Sequence, residues 1–187
     1  MSLPKVPEDR FNDLLARNEE YLSSGAFKAP IPLSTARQLV QNYGYKGLYI
    51  LTCADGRVHP EEIFGLKKGE ANIIRNAGGT AIESDVFRSL SIMSTIAPIG
   101  MVVVLHHSDC GGLFTTDEAV SKELAERNPE HAKDVEGYFY GTYKHIGLDQ
   151  SIKNDVQRIK AWPFLNEGAK VLGYTYEVET GKVRQVC

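Results

Sequence analysis

Hydrophobic and polar positions follow two different rhythms along this chain. Residues 9–24 place Phe11, Leu14, Leu15, Tyr21 and Leu22 at helical spacing, which predicts an amphipathic helix. The prolines of "KAPIPL" break it, and "STARQLVQNY" predicts a short second helix. From residue 47 the rhythm changes. "GLYILT" (47–52) and "MVVVLHH" (101–107) are apolar runs of strand length, the pattern of strands buried on both faces. "EANIIRNAGG" predicts a further strand that ends in glycines. Between these, "HPEEIFGL" predicts a brief helix with Pro60 near its first turn. Ile82, Val86, Leu90, Met93 and Ala97 share one face of another helix, with Thr80 and Glu83 spaced as a capping box at its start. "TTDEAVSKELAERN" and "DQSIKNDVQRIKAW" predict helices with solvated faces. "KVLGYTYEVETGKVRQV" predicts two strands around a Thr-Gly turn.

Strands that alternate with helices, and are themselves nearly all apolar, predict an α/β fold. Its sheet is mostly parallel and flanked by helices, with an antiparallel edge at the C-terminus. In open sheets of this kind ligands gather beyond the carboxyl ends of the strands. Here those ends carry unusual residues. Cys53 follows the first apolar run, and the second finishes in "HHSDCGG" (106–112).

Composition narrows the setting. A chain of 187 residues, 42% hydrophobic, supports one full core, so residues 1–187 are read as a single domain. A net charge of −3 points to neither a nucleic-acid backbone nor a membrane as the main partner. No apolar run approaches the roughly 18–20 residues of a membrane span. The N-terminal "MSLPKVPEDRFNDLLARNEEY" mixes acids with bases and lacks the apolar stretch of a secretory signal, which predicts a cytoplasmic protein. Three cysteines, an odd number, fit a reducing compartment better than a disulfide framework. Cys187 is the last residue and reads as a frayed bystander.

Cys53 and Cys110 need another explanation. Two thiolates with the imidazole of His107 make a good zinc set, and three protein ligands leave a fourth tetrahedral position open for catalysis. Zinc in that state activates water as hydroxide. The bland alternative for either cysteine alone is an inert core residue. The coincidence of His107-x-x-Cys110 with a second strand-end cysteine favours the metal. His106 faces the other way along the strand and reads as a hydrogen-bonded support. In "CADGR", Asp55 and Arg57 flank Gly56; an arginine forked onto that carboxylate keeps it ionised and off the metal. A turn aspartate paired with a surface arginine is the alternative. Arg75 and Asn76 of "IIRNAGG" read as anion contacts or as loop supports, and His59 as part of an exposed helix start.

"CADGR", "IIRNAGG" and "HHSDCGG", in that order, resemble the β-class carbonic anhydrases. The likeness covers roughly residues 45–115, extends more weakly to the closing "GYTYEVETGKV", and is nearest to compact members without a long N-terminal extension. It implies a parallel-sheet α/β fold and an obligate assembly, homodimer or homotetramer. It also implies an active site near the interface, and an N-terminal helical segment (1–44) packed on the partner subunit. By position it makes Cys53, His107 and Cys110 the zinc ligands, and Asp55 and Arg57 the catalytic dyad. The implied activity is reversible hydration of carbon dioxide to bicarbonate. Related compact enzymes hydrolyse carbonyl sulfide or carbon disulfide, so the motifs do not select the substrate. Gly56 is a departure, since many members carry serine there. Residues 115–147 match no catalytic role. Their aromatics Tyr138, Phe139 and Tyr140, with Phe114, read as a pocket wall or as cover for a partner. Two other classes remain. One is a non-catalytic zinc protein on the same fold, which has no need of the Asp55–Arg57 pair. The other is a redox protein, which lacks the C-x-x-C spacing.

Overall fold

A computed structural model describes residues 7–82 and 84–187. The chain divides into a first unit ending at Leu33 and a second running from Ser34 to Cys187. The first holds helix α1 (Pro7–Ser23), whose predicted apolar residues Phe11, Leu14, Leu15, Tyr21 and Leu22 are all exposed in the single chain. The helix stops where Gly25 takes φ +73°, a left-handed turn that glycine adopts without penalty.

The second unit begins within helix α2 (Leu33–Tyr43) and is built on a five-stranded sheet. Its strands are β1 (Gly47–Cys53), β2 (Asn72–Asn76), β3 (Ile99–His107), β4 (Lys170–Tyr176) and β5 (Val183–Gln185), in the order β2-β1-β3-β4-β5. The first four are parallel, and β5 pairs antiparallel with β4. This is the mostly parallel sheet with an antiparallel C-terminal edge that the apolar pattern predicts. The helices joining the strands are α3 (Pro60–Ile63), α4 (Ser84–Ser94), α5 (Asp117–Arg127), α6 (Ala132–Val135) and α7 (Leu148–Lys160).

Alternation along β1 and β3 sorts the core into two layers. Tyr49, Leu51, Val102 and Val104 pack with Val86 and Leu90 of α4 and with Ile152, Val156 and Ile159 of α7. Ile50, Val103 and Leu105 face the other way, against Ile63, Leu66, Ile73 and Tyr174. Each fully buried aliphatic side chain contributes about 1.5–3 kcal/mol over leaving it in water. β1 and β3 are therefore the most firmly anchored strands. They are also neighbours, and Thr52 Oγ1 donates to Leu105 O at 2.8 Å near their ends. Whatever follows Thr52 and Leu105 is placed side by side by the core.

Two local expectations change. Helix α4 starts at Ser84, too late for Thr80 to cap it; Thr80 instead exchanges hydrogen bonds with the Asn76 side chain at 2.8 and 2.9 Å. Glu83, the other half of the expected box, lies outside the described residues. Cys187 is not frayed, because its carbonyl accepts from Gly173 N at 2.7 Å and so holds the chain end to β4. Among the described residues no helix is long and apolar enough to cross a membrane.

Candidate metal centre

The carboxyl ends of β1 and β3 bring Cys53, His107 and Cys110 together, with their donor atoms all within 4.8 Å of one another. All three are buried. Cys53 Sγ and Cys110 Sγ lie 3.9 Å apart. His107 Nδ1 donates to Ser108 O at 2.7 Å, which fixes the ring and turns Nε2 toward the sulfurs. Nε2 is buried with no hydrogen-bond partner. A buried acceptor left alone costs about 1–3 kcal/mol, so such an atom calls for an occupant.

The thiols show the same tension. Their mutual hydrogen bond lowers the Cys110 pKa to about 6, against the effect of burial. The same bond, with burial adding to it, pushes Cys53 up to about 11. The pair gives up one proton readily and holds the second. A divalent cation held here would supply the positive charge that releases both, and the donor set of two sulfurs and one imidazole suits zinc.

Each donor is held by groups of its own. Arg75 donates to three carbonyls of the Cys53 loop: from Nε to Cys53 at 3.1 Å, and from Nη2 to Asp55 and Val58, both at 2.7 Å. Of the two roles open to it, it takes that of loop support. Asn76 joins it by fastening the turn at Thr80. That turn brings Gly79, at φ +70°, against the end of β1; a Cβ there would sit 2.8 Å from Cys53 N. Cys110 is followed by a short 3₁₀ turn, Gly111–Leu113, on which Tyr143 is seated through Tyr143 N to Gly112 O at 2.9 Å.

Asp55 and Arg57 meet as the fork that the sequence suggests. Arg57 Nη2 donates to Asp55 Oδ2 at 2.7 Å, and Nε to Oδ1 at 3.0 Å. These bonds hold the Asp55 carboxyl well below the usual carboxylate range. Asp55 Oδ2 stands 3.9 Å from His107 Nε2, at the margin of the donor cluster. His106 is the buried support expected of it. Its Nε2 faces Gly79 O at 3.0 Å and Asp155 Oδ2 at 3.2 Å, two acceptors, so that nitrogen carries the proton.

Sequence reasoning missed two neighbours. Tyr143 is fully buried and packs with Cys53 and Cys110, while Phe114, Tyr138 and Phe139, read as a pocket wall or as cover for a partner, are exposed in the single chain. The Tyr143 hydroxyl lacks a well-formed hydrogen bond but favours the Cys110 thiolate. Its ring leaves no room for a Cβ at Gly112, the one sequence signal of its place. The second is Asp109, whose carboxylate takes Arg57 Nη1 at 2.6 Å.

Comparison with known proteins identifies the family. The family model described as carbonic anhydrase matches residues 48–183. The chain is 30% identical to Beta-carbonic anhydrase 1 of Mycobacterium tuberculosis over 182 residues, covering 94% of this chain and 96% of that protein. It is also 30% identical, over 156 residues, to the Carbon disulfide hydrolase of Acidianus sp., covering 74% of this chain and 76% of that protein. Among solved structures, the carbonic anhydrase from Glaciozyma antarctica superposes with a TM-score of 0.76 at 32% identity, covering 100% of both chains.

Proposed function

The chain belongs to the β-carbonic anhydrase family, and from that premise we propose a zinc enzyme that hydrates carbon dioxide reversibly to bicarbonate and a proton. The observation that carries the reading is the buried Cys53–His107–Cys110 cluster, with an orphaned His107 Nε2 and an arginine-forked carboxylate at its edge. Zinc held by these three would supply the Lewis acidity that makes water nucleophilic near neutral pH. Asp55 contributes as a hydrogen-bond acceptor. A carboxylate held so far below its usual range is a poor base, so it orients the attacking water and does not carry its proton away. Arg57 keeps Asp55 ionised and turned from the thiolates. Burial of the cluster excludes bulk water and suits a small, nearly apolar, linear substrate.

A second reading is hydrolysis of carbonyl sulfide or carbon disulfide with release of hydrogen sulfide, favoured by the likeness to a carbon disulfide hydrolase. The assembly we propose is a homodimer or homotetramer, in which residues 1–44 pack on the partner. The exposed Phe11, Leu14, Leu15 and Leu22 support this, because such a stripe is normally covered. Three free cysteines fit a reducing, cytoplasmic setting.

The test is one zinc-loaded preparation assayed with each gas. The proposal expects about one zinc per chain and the largest kcat/KM for carbon dioxide. A hundredfold preference for a sulfur-containing gas, about 2.7 kcal/mol in transition-state binding, would replace the first reading with the second. No turnover of any of them would refute both.

A further inference from the structure

Arg57 does more than fork onto Asp55. Nη1 donates to Asp109 Oδ2 at 2.6 Å, and Nη2 donates to the Asp109 carbonyl at 2.9 Å. Asp55 lies two residues after Cys53, and Asp109 lies between His107 and Cys110. One guanidinium therefore ties together both loops that carry the donor cluster. Asp109 stands at φ +52°, the one non-glycine in the left-handed region among the described residues. The chain has glycine at 111 and 112 but not at 109, where the backbone would accept it most easily. What glycine lacks is the carboxylate.

The Arg57–Asp109 pair is half exposed, with Arg57 at 51% and Asp109 at 49%, and pairs of that kind add little to stability. Its consequence is geometric. An arginine side chain has many rotamers, and a fork onto Asp55 alone leaves its long stem free to swing. A second carboxylate on Nη1 fixes the guanidinium from the other side, and with it the carboxylate of Asp55. We propose that Asp109 is a positioning residue that acts through Arg57, so that the catalytic pair is a three-residue clamp, Asp55–Arg57–Asp109. The inference rests on the zinc-hydratase reading for its effect on rate, but not for its effect on geometry.

The test uses the full-length, zinc-loaded protein with Asp109→Asn and Asp109→Gly. Asparagine keeps the size and tolerates the left-handed turn; glycine relieves the backbone; both remove the charge. The clamp expects kcat to fall about tenfold or more in each, with KM little changed. Zinc affinity in a chelator competition and the melting temperature should stay at or above wild type. Because Asp109 works through Arg57, the double variant Arg57→Ala with Asp109→Asn should be no slower than Arg57→Ala alone. Wild-type kcat in both single variants would reduce Asp109 to a turn residue and overturn the proposal. A collapse of zinc affinity in Asp109→Asn would also overturn it, by making Asp109 a support of the Cys110 loop. If wild type turns over none of the gases, the functional reading fails, and crystal structures of wild type and Asp109→Asn decide the clamp separately. A displaced Asp55 in the variant supports it, and an unchanged fork refutes it.

Discussion

Gly79→Ala tests whether the end of β1 is a rigid platform for the donor cluster. Gly79 has φ +70°, and an added Cβ would lie 2.8 Å from Cys53 N and from Thr52 C, and 3.1 Å from Thr52 Cα. Those atoms are backbone of a buried central strand and cannot rotate away. The left-handed conformation costs a non-glycine roughly 1–2 kcal/mol. Overpacking adds about 1–3 kcal/mol. Together they predict a loss of about 2–5 kcal/mol, or a fall in Tm of about 4–20 °C for a chain of this length. Gly111→Ala is the control. It lies equally near the donors, but a Cβ there meets nothing within 4 Å and its φ is not left-handed, so it should stay within about 0.5 kcal/mol of wild type. Urea denaturation at one fixed protein concentration, with metal content measured alongside, separates the two. If Gly79→Ala loses less than about 1 kcal/mol, or no more than Gly111→Ala, the strand end yields and the platform argument fails.

Cys53→Ser and Cys110→Ser should each lose zinc and turnover, whereas His106→Ala should keep its metal but lose about 1–3 kcal/mol of stability, because Gly79 O and Asp155 Oδ2 lose a buried partner while Arg158 still holds Asp155 Oδ1; full zinc occupancy in both serine variants would contradict the donor assignment. Asp117 accepts from Thr142 Oγ1 at 2.6 Å and from the backbone N–H groups of Tyr140, Gly141 and Thr142. Burial opposes the charge, yet these bonds leave its pKa lowered. Its stabilisation is therefore complete above the ordinary carboxylate pKa of about 4 and fades as pH falls through the lower folded value. The stability gap between wild type and Asp117→Asn should narrow below about pH 4; a gap independent of pH would show that Asp117 is not ionised in the folded state. Gly56→Ser should leave Tm and metal content unchanged, because a Cβ at Gly56 meets nothing within 4 Å; a fall of several degrees would show that the dyad loop has no room for the serine common elsewhere in the family.

What could be read from the chain, and what could not, follows from the kind of partner each residue uses. β1 and β3 were legible because burial on both faces demands continuous apolar residues. The meeting of Cys53, His107 and Cys110 was legible because two cysteines and a histidine coincide at and just beyond the ends of two such strands. Arg75 stayed ambiguous because its partners are the carbonyls of Cys53, Asp55 and Val58, and every residue has a carbonyl. Tyr143 was hidden among four aromatics more than thirty residues from Cys110. Only the close approach of its ring to Gly112 distinguishes it from the exposed Tyr138 and Phe139. Asp109 was masked by its neighbours. Between a histidine and a cysteine of the donor set it looks like spacer, and its positive φ belongs to the fold and not to the alphabet.

The two arginines of the site divide its work by the charge of what they hold. Arg75 binds neutral carbonyls, so it fixes the path of the Cys53 loop without altering the ionisation of any side chain it touches. Arg57 binds two carboxylates and so sets both the position and the charge of Asp55. His107 is oriented by a backbone carbonyl, and the turn after Cys110 by the seat of Tyr143 on Gly112. None of these restraints passes through a metal. Each donor is thus restrained by groups of the protein itself. A bound cation would change protonation, because the Cys53 thiol, pushed up by its hydrogen bond to Cys110 and by burial, would have to release its proton.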